Sequence, residues 1–314
     1  MEKIAYLFPG QGAQYVGMAK DLYDAHAAIR ELYSSAEKIL GFDLAKICFE
    51  GPAEILIQTQ HTQPAIFTHS VALWTLIKDQ DVKPAYTAGH SLGEYSALVA
   101  AGALSFEDGL LAVKHRSLLM QQACLRNPGT MAAIIGLSEQ EVRSICAEAS
   151  DYGMVQPANF NGADQIAISG EIKAVEFGVE LAKGKGAKRA IILEVAGAYH
   201  SELMRSAQEG FKKVIGEINL RKPQIPVVAN VNAEPVSDPE QIRKLLVDQI
   251  IMPVLWHQSM ERLYREGVRS YVEIGPGKVL QGLLKRSFKD IRYAGIDKLT
   301  DLDQLAERIT TKAL

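Results

Sequence analysis

Gly89-His90-Ser91-Leu92-Gly93 sits where a strand should turn sharply into a helix. Lys83-Pro84 launches a short stretch, Ala85-Tyr86-Thr87-Ala88, of strand character, and Glu94 to Ala101 is rich in Ala and Leu, which favours helix. A serine with a glycine two residues away on each side, at a strand-to-helix junction, is the layout of a nucleophile elbow. The glycines permit a tight turn that side chains would block, and the serine oxygen is presented over the sheet edge. The N–H that follows opens a helix and can stabilise a developing oxyanion.

Outward from the elbow, strands and helices alternate. Ile4 to Phe8 reads as a buried strand ended by Pro9-Gly10-Gln11-Gly12, and helices are predicted at 14–23, 27–40, 64–78 and 106–124. Asn127-Pro128-Gly129 breaks the pattern. Beyond it come a strand at 131–137, a helix announced by the capping box Ser138-Glu139-Gln140-Glu141, strands at 154–159 and 165–169, a helix at 172–183 and a strand at 189–195. That β-α-β-β-α-β order is the ferredoxin-like arrangement. Helices at 202–218, 239–251 and 260–267 and strands at 227–231 and 270–274 follow. An α/β protein with a mostly parallel sheet is expected, with a small subdomain (127–196) inserted into a larger one (1–126 and 197–314).

Composition narrows the function classes. The 314 residues are 47% hydrophobic with a net charge of −3, too little basic excess for a protein whose main partner is nucleic acid. Three cysteines without a CxxC pattern indicate neither a disulfide framework nor a zinc site. The opening apolar run stops at Pro9, too soon for a signal peptide, and no run is long enough to cross a bilayer. A cytoplasmic protein is expected.

A serine nucleophile needs a base. Of seven histidines, His90 adjoins the serine, and adjacent side chains at a strand end diverge. His200 is preferred: it follows the strand at 189–195 and the turn Ala196-Gly197, just before a helix. Taken as the carboxyl end of a parallel sheet, that places it on the same edge as the elbow, and a helix N-terminus would keep its imidazole neutral. A histidine that merely caps the helix is the alternative. Gly10-Gln11-Gly12 is no dinucleotide fingerprint, because Tyr15 stands where the third glycine belongs. Its N–H groups are either a second oxyanion donor or a plain tight turn.

Arg116 shares a helix face with Gly109, Ala112, Val113 and Met120, a small and apolar set that points inward. An inward guanidinium requires an anion, from the protein or from a substrate carboxylate. Lys114, one step round, is expected in solvent. Gly275-Pro276-Gly277-Lys278 lacks phosphate-loop spacing and reads as a strand-to-helix turn, and the basic cluster at 183–189 reads as a solvated face, with contact to an anionic partner as the alternative.

Together, Leu7-Phe8-Pro9-Gly10-Gln11-Gly12-Ala13-Gln14, Gly89-His90-Ser91-Leu92-Gly93-Glu94-Tyr95, Arg116 with Met120, Tyr199-His200-Ser201 and Gly275-Pro276-Gly277-Lys278-Val279-Leu280 resemble the malonyl-CoA:acyl carrier protein transacylases. The resemblance implies an α/β-hydrolase-like core with an inserted ferredoxin-like subdomain. It implies ping-pong transfer: Ser91 takes malonyl from CoA with His200 as base, then yields it to the phosphopantetheine thiol of acyl carrier protein. The N–H groups of Gln11 and Leu92 would hold the oxyanion, Arg116 the malonyl carboxylate, and a carbonyl at Gln249 the histidine. His90, Met120 and Tyr199 would surround them, and an aromatic at Tyr199 with Leu92 after the serine resembles malonyl-type rather than methylmalonyl-type enzymes. No cofactor and no metal are implied, and a monomer is expected. The alternatives are an acyltransferase loading a polyketide carrier domain and a serine thioesterase.

Overall fold

The computed structural model describes residues 3–79 and 83–302; Met1-Glu2 and the end of the segment 197–314 lie outside them. In chain order the elements are β1 (Lys3–Phe8), α1 (Lys20–Ala25), α2 (Ala27–Leu40), α3 (Leu44–Glu50), α4 (Ala53–Leu56), α5 (Thr59–Ile77), β2 (Tyr86–Gly89), α6 (Gly93–Ala100) and α7 (Phe106–Arg126). Then come β3 (Thr130–Ile135), α8 (Glu139–Ala149), β4 (Val155–Gly162), β5 (Gln165–Gly170), α9 (Ile172–Gly184) and β6 (Arg189–Ile192). The chain continues through a 3₁₀ turn (Glu202–Met204), α10 (Arg205–Glu217), β7 (Val227–Val228), β8 (Pro235–Val236), α11 (Pro239–Asp248) and α12 (Trp256–Arg265). It closes with β9 (Val268–Ile274), α13 (Val279–Ser287), β10 (Arg292–Ile296) and α14 (Leu299–Leu302).

Six strands form one sheet in the order β10-β9-β1-β2-β7-β8, parallel except for the final β7–β8 pair. β1 is buried on both faces: Tyr6 and Phe8 join a core with α2, α5, α6 and α7, while Ala5 and Leu7 join one with Trp256, Leu263 and Leu284. That is why the strand reads as a continuous apolar run. The other four strands form an antiparallel sheet, β4-β5-β3-β6, with its own core against α8 and α9. The α/β core with an inserted ferredoxin-like unit is therefore the architecture found. Main-chain bonds Val254 N–H to Ala158 O and Val254 O to Phe160 N–H tie the two parts together.

Several boundaries differ from expectation. The helix predicted at 14–23 begins only at Lys20, because Gly17 (φ 97°) and Ala19 (φ 63°) lie in the left-handed region and break the helical path. α5 starts at Thr59 and runs through Pro64, where the sequence reading started it. The predicted 189–195 strand stops at Ile192, and the helix at 202–218 is preceded by the 3₁₀ turn. The capping box at Ser138 and Glu141 is present as read. Among the described residues no helix is long and apolar enough to cross a membrane.

The sheet fixes the site through two adjacent strand ends. Phe8 and Gly89 are register partners, so the loops after β1 and β2 leave the sheet side by side. They pack so closely that a Cβ on Gly93 would lie 2.0 Å from the Phe8 carbonyl oxygen, and one on Gly10 would lie 2.4 Å from that of His90. Gly93→Ala is expected to cost about 3 kcal/mol or more in denaturant unfolding, since backbone rather than a flexible side chain must yield. Gly216→Ala, in an exposed helical position with nothing within 4 Å of the added carbon, is expected to be neutral or stabilising by about 0.5 kcal/mol. Equal effects of the two would contradict the close-packed elbow.

Candidate active site

Ser91 sits at the turn with φ 51°, a strained value for a residue with a side chain, and its backbone is clipped by Asn230. Asn230 Oδ1 accepts the Ser91 N–H at 2.7 Å, and its Nδ2 donates to the Gly89 carbonyl at 2.7 Å. The N–H groups of Gln11 and Leu92 donate to no acceptor of the described protein, so both are free to meet an oxyanion. They lie on the two loops that Gly10 and Gly93 bring into contact.

His200 reaches the serine with Nε2 2.8 Å from Ser91 Oγ, and its Nδ1 is 2.8 Å from the Gln249 main-chain carbonyl. A carbonyl can only accept, so Nδ1 carries the proton and Nε2 is left as the acceptor for the serine hydroxyl. The route to this position corrects the sequence argument. β6, which precedes His200, is an edge strand of the antiparallel sheet, not of the parallel one. Residues 193–199 carry the chain from that edge to the elbow. What keeps the imidazole neutral is first its burial and then the Arg116 charge, together pushing its pKa down to about 3.

Arg116 lies on α7 and is 1% exposed, on the inward face with Gly109, Ala112, Val113 and Met120 as read. Its Nη1 donates to Gln63 Oε1 at 2.7 Å, and Nη2 to Ser91 Oγ and Gln249 Oε1, both at 3.0 Å. Nε is buried without a partner, and the guanidinium stands 5.6 Å from the Tyr95 ring centre. Among the described residues no carboxylate lies within ion-pair distance of it. Burial lowers its pKa, which marks a charge short of a full partner. Lys114, expected in solvent, instead donates to the Ile39 carbonyl near the end of α2 at 2.7 Å.

The remaining predicted neighbours surround this group. His90 Nε2 lies 2.8 Å from Asn161 Oδ1 on β4, Met120 Sδ accepts from Gln63 Nε2 at 3.7 Å, and the Tyr199 hydroxyl bonds Thr59 Oγ1. A cavity of about 530 Å³ opens over Ser91 between the two sheets, lined by Gln11, Arg116, Asn161, Tyr199 and His200 with Arg286 also on its wall. The Gly275-Pro276-Gly277 turn leads from β9 into α13 as read, and Glu273 occupies that helix's N–H groups at Leu280 and Gln281. In the basic cluster Lys183, Lys185 and Lys188 pair with Glu180, Glu148 and Asp164. The three cysteines are free and buried, and the described residues hold no metal-ligating cluster.

Sequence reasoning missed Gln63, Glu94 and Asn230. Asn230 had a usable signal: it follows β7, the parallel neighbour of β2, at the carboxyl end of that strand. Gln63 and Glu94 are polar side chains on helices, which read as surface until packing is known.

A serine held against a neutral histidine, with two free N–H groups beside it, can attack a carbonyl and stabilise the tetrahedral oxyanion. The family model described as the acyl transferase domain matches residues 5–306. The malonyl CoA-acyl carrier protein transacylase of Bacillus subtilis strain 168 is 45% identical over 287 residues, spanning 91% of this chain and 90% of that protein. An acyl carrier protein S-malonyltransferase from Vibrio cholerae is 41% identical with a TM-score of 0.92, covering 96% of this chain and 99% of that one. A malonyl-transacylase solved in complex with a type II PKS acyl-carrier protein is 39% identical with a TM-score of 0.94, covering 97% and 99%.

Proposed function

This chain belongs to the acyl transferase domain family, and on that footing we propose that it moves a malonyl group from malonyl-CoA to the phosphopantetheine thiol of acyl carrier protein. His200 Nε2 takes the Ser91 proton as Oγ attacks the thioester carbonyl, and the Gln11 and Leu92 N–H groups hold the oxyanion. Collapse breaks the carbon–sulfur bond, and His200 returns the proton to the departing CoA thiolate. In the second half the carrier thiol gives its proton to His200, attacks malonyl-Ser91, and the serine oxygen leaves reprotonated.

The observation that carries this reading is Arg116: a buried guanidinium, 3.0 Å from the nucleophile, with no carboxylate within ion-pair distance among the described residues. Malonyl places its carboxylate two bonds beyond the attacked carbonyl, which suits a clamp beside the serine. A thioesterase for neutral acyl chains gains nothing from it. A carrier of polyketide synthesis is the second candidate partner, favoured by the likeness to the transacylase solved with such a carrier. We read the chain as a monomer and as divided into 1–126 with 197–314 and 127–196, the division following the antiparallel sheet, which spans only residues 130–192.

The test isolates malonyl-enzyme from free CoA and adds carrier protein bearing phosphopantetheine. Malonyl is expected to leave the enzyme and appear on the carrier. Release as free malonate at one rate with or without carrier would instead mark a hydrolase.

A further inference from the structure

Glu94 is a buried carboxyl that the scheme above leaves idle. It stands three residues after the nucleophile, in the first turn of α6, and is 2% exposed. Its Oε2 accepts from Gln249 Nε2 at 2.7 Å and from the Asn230 main-chain N–H at 3.2 Å. Each partner reaches the site by its own route. Asn230 clips the elbow at Ser91 and Gly89. Gln249 gives its side-chain carbonyl to Arg116, donates Nε2 to the Ser91 carbonyl at 3.0 Å, and offers its main-chain carbonyl to His200.

An ionised carboxylate accepts and never donates. Together with Arg116, which only donates, and the Ser91 carbonyl, which only accepts, it fixes which way round the Gln249 amide sits: NH₂ toward Glu94, carbonyl toward Arg116. Turned over, the amide would aim donors at the guanidinium and its oxygen at the carboxylate, two repulsive contacts at once. Across that one amide, Glu94 and Arg116 also oppose each other as unlike buried charges, and each eases the burial of the other.

We propose that Glu94 is a positioning residue for malonyl transfer, its ionised carboxylate holding Arg116 through Gln249 and the elbow through Asn230. This rests on the malonyl reading of Arg116. The groups facing Glu94 are Arg116 from α7, Tyr95 beside it on α6, and His200, which is bound to the main chain of the same Gln249. Burial raises Tyr95 and lowers His200, so neither changes charge near neutrality, whereas burial raises Glu94 to about 7. Of these groups Glu94 is the one whose charge changes near neutrality: the carboxylate is the working form, and protonation on acidification removes its charge.

The test follows malonyl-Ser91 formation from saturating malonyl-CoA by quenched flow and intact mass, from about pH 5.5 to about pH 8.5, for the wild type, Glu94→Gln and Glu94→Asp. The wild type is expected to slow as pH falls through about 7. Glu94→Gln is expected to be slower by about 10-fold or more at the alkaline end, since small misplacement of reacting groups is costly, and to have lost the acid limb. Glu94→Asp should keep a limb and recover part of the rate. Glu94→Gln with the wild-type rate, or slowed but with the acid limb intact, would overturn the proposal. Should that variant fail to fold, Glu94→Asp with the wild-type rate and pH profile overturns it equally. A wild type that forms no malonyl adduct would instead sink the malonyl reading on which the proposal stands.

Discussion

Ser91→Ala is expected to abolish every covalent acyl adduct and to lower carrier loading by about 10⁴-fold or more, because no nearby group can replace the serine oxygen. The measurement is intact mass after exposure to malonyl-CoA, paired with carrier loading under single-turnover conditions. The fold should be undisturbed: alanine removes only the hydroxyl, while the Ser91 N–H bond to Asn230 and the positive φ of the elbow are backbone features. The buried cysteines cannot substitute. Cys124 is the one beside the site, near Tyr199, and burial pushes its thiol up to about 11, so it holds almost no thiolate at neutral pH. A persistent adduct in this variant would place the nucleophile elsewhere.

Arg116→Ala is expected to separate two substrates that differ only in a carboxylate. Losing a buried guanidinium that clamps an anion costs about 3 kcal/mol, which is about 10²-fold in kcat/KM for malonyl-CoA. Acetyl-CoA has no carboxylate to hold, so its poor transfer should change by about tenfold at most, reflecting only the lost Arg116 bond to Ser91 Oγ. The ratio of the two rates is the informative quantity. Equal losses for both substrates would show that Arg116 supports the serine rather than the substrate.

What could be read from the sequence and what could not follow a physical division. The elbow was legible because Gly89 and Gly93 are demanded by backbone contacts of about 2 Å, a requirement that leaves no choice of residue. Arg116 was legible because its helix face is otherwise small and apolar. β8 and β10 were not found: one is two residues long, and the other, Arg292 to Ile296, lacks apolar alternation on its half-buried edge. The helix expected at 14–23 failed on Ala19, a residue whose positive φ no propensity announces. His200 was identified by a faulty route, since the preceding strand belongs to the other sheet. Glu94 shows the deeper limit. A glutamate on a helix is ordinarily solvated, and only the folded chain brings Asn230 and Gln249, 136 and 155 residues away, to its carboxylate.

In the proposed reaction Ser91 carries an acyl group that is selected through that group's own carboxylate. The direct measurement mixes the protein with malonyl-, methylmalonyl- and acetyl-CoA together, weighs the enzyme, then adds carrier protein and weighs both. Malonyl is expected on the enzyme first and on the carrier afterward, with acetyl scarcely represented. Acetyl loading equal to malonyl, or an adduct that water removes and the carrier does not, would contradict it.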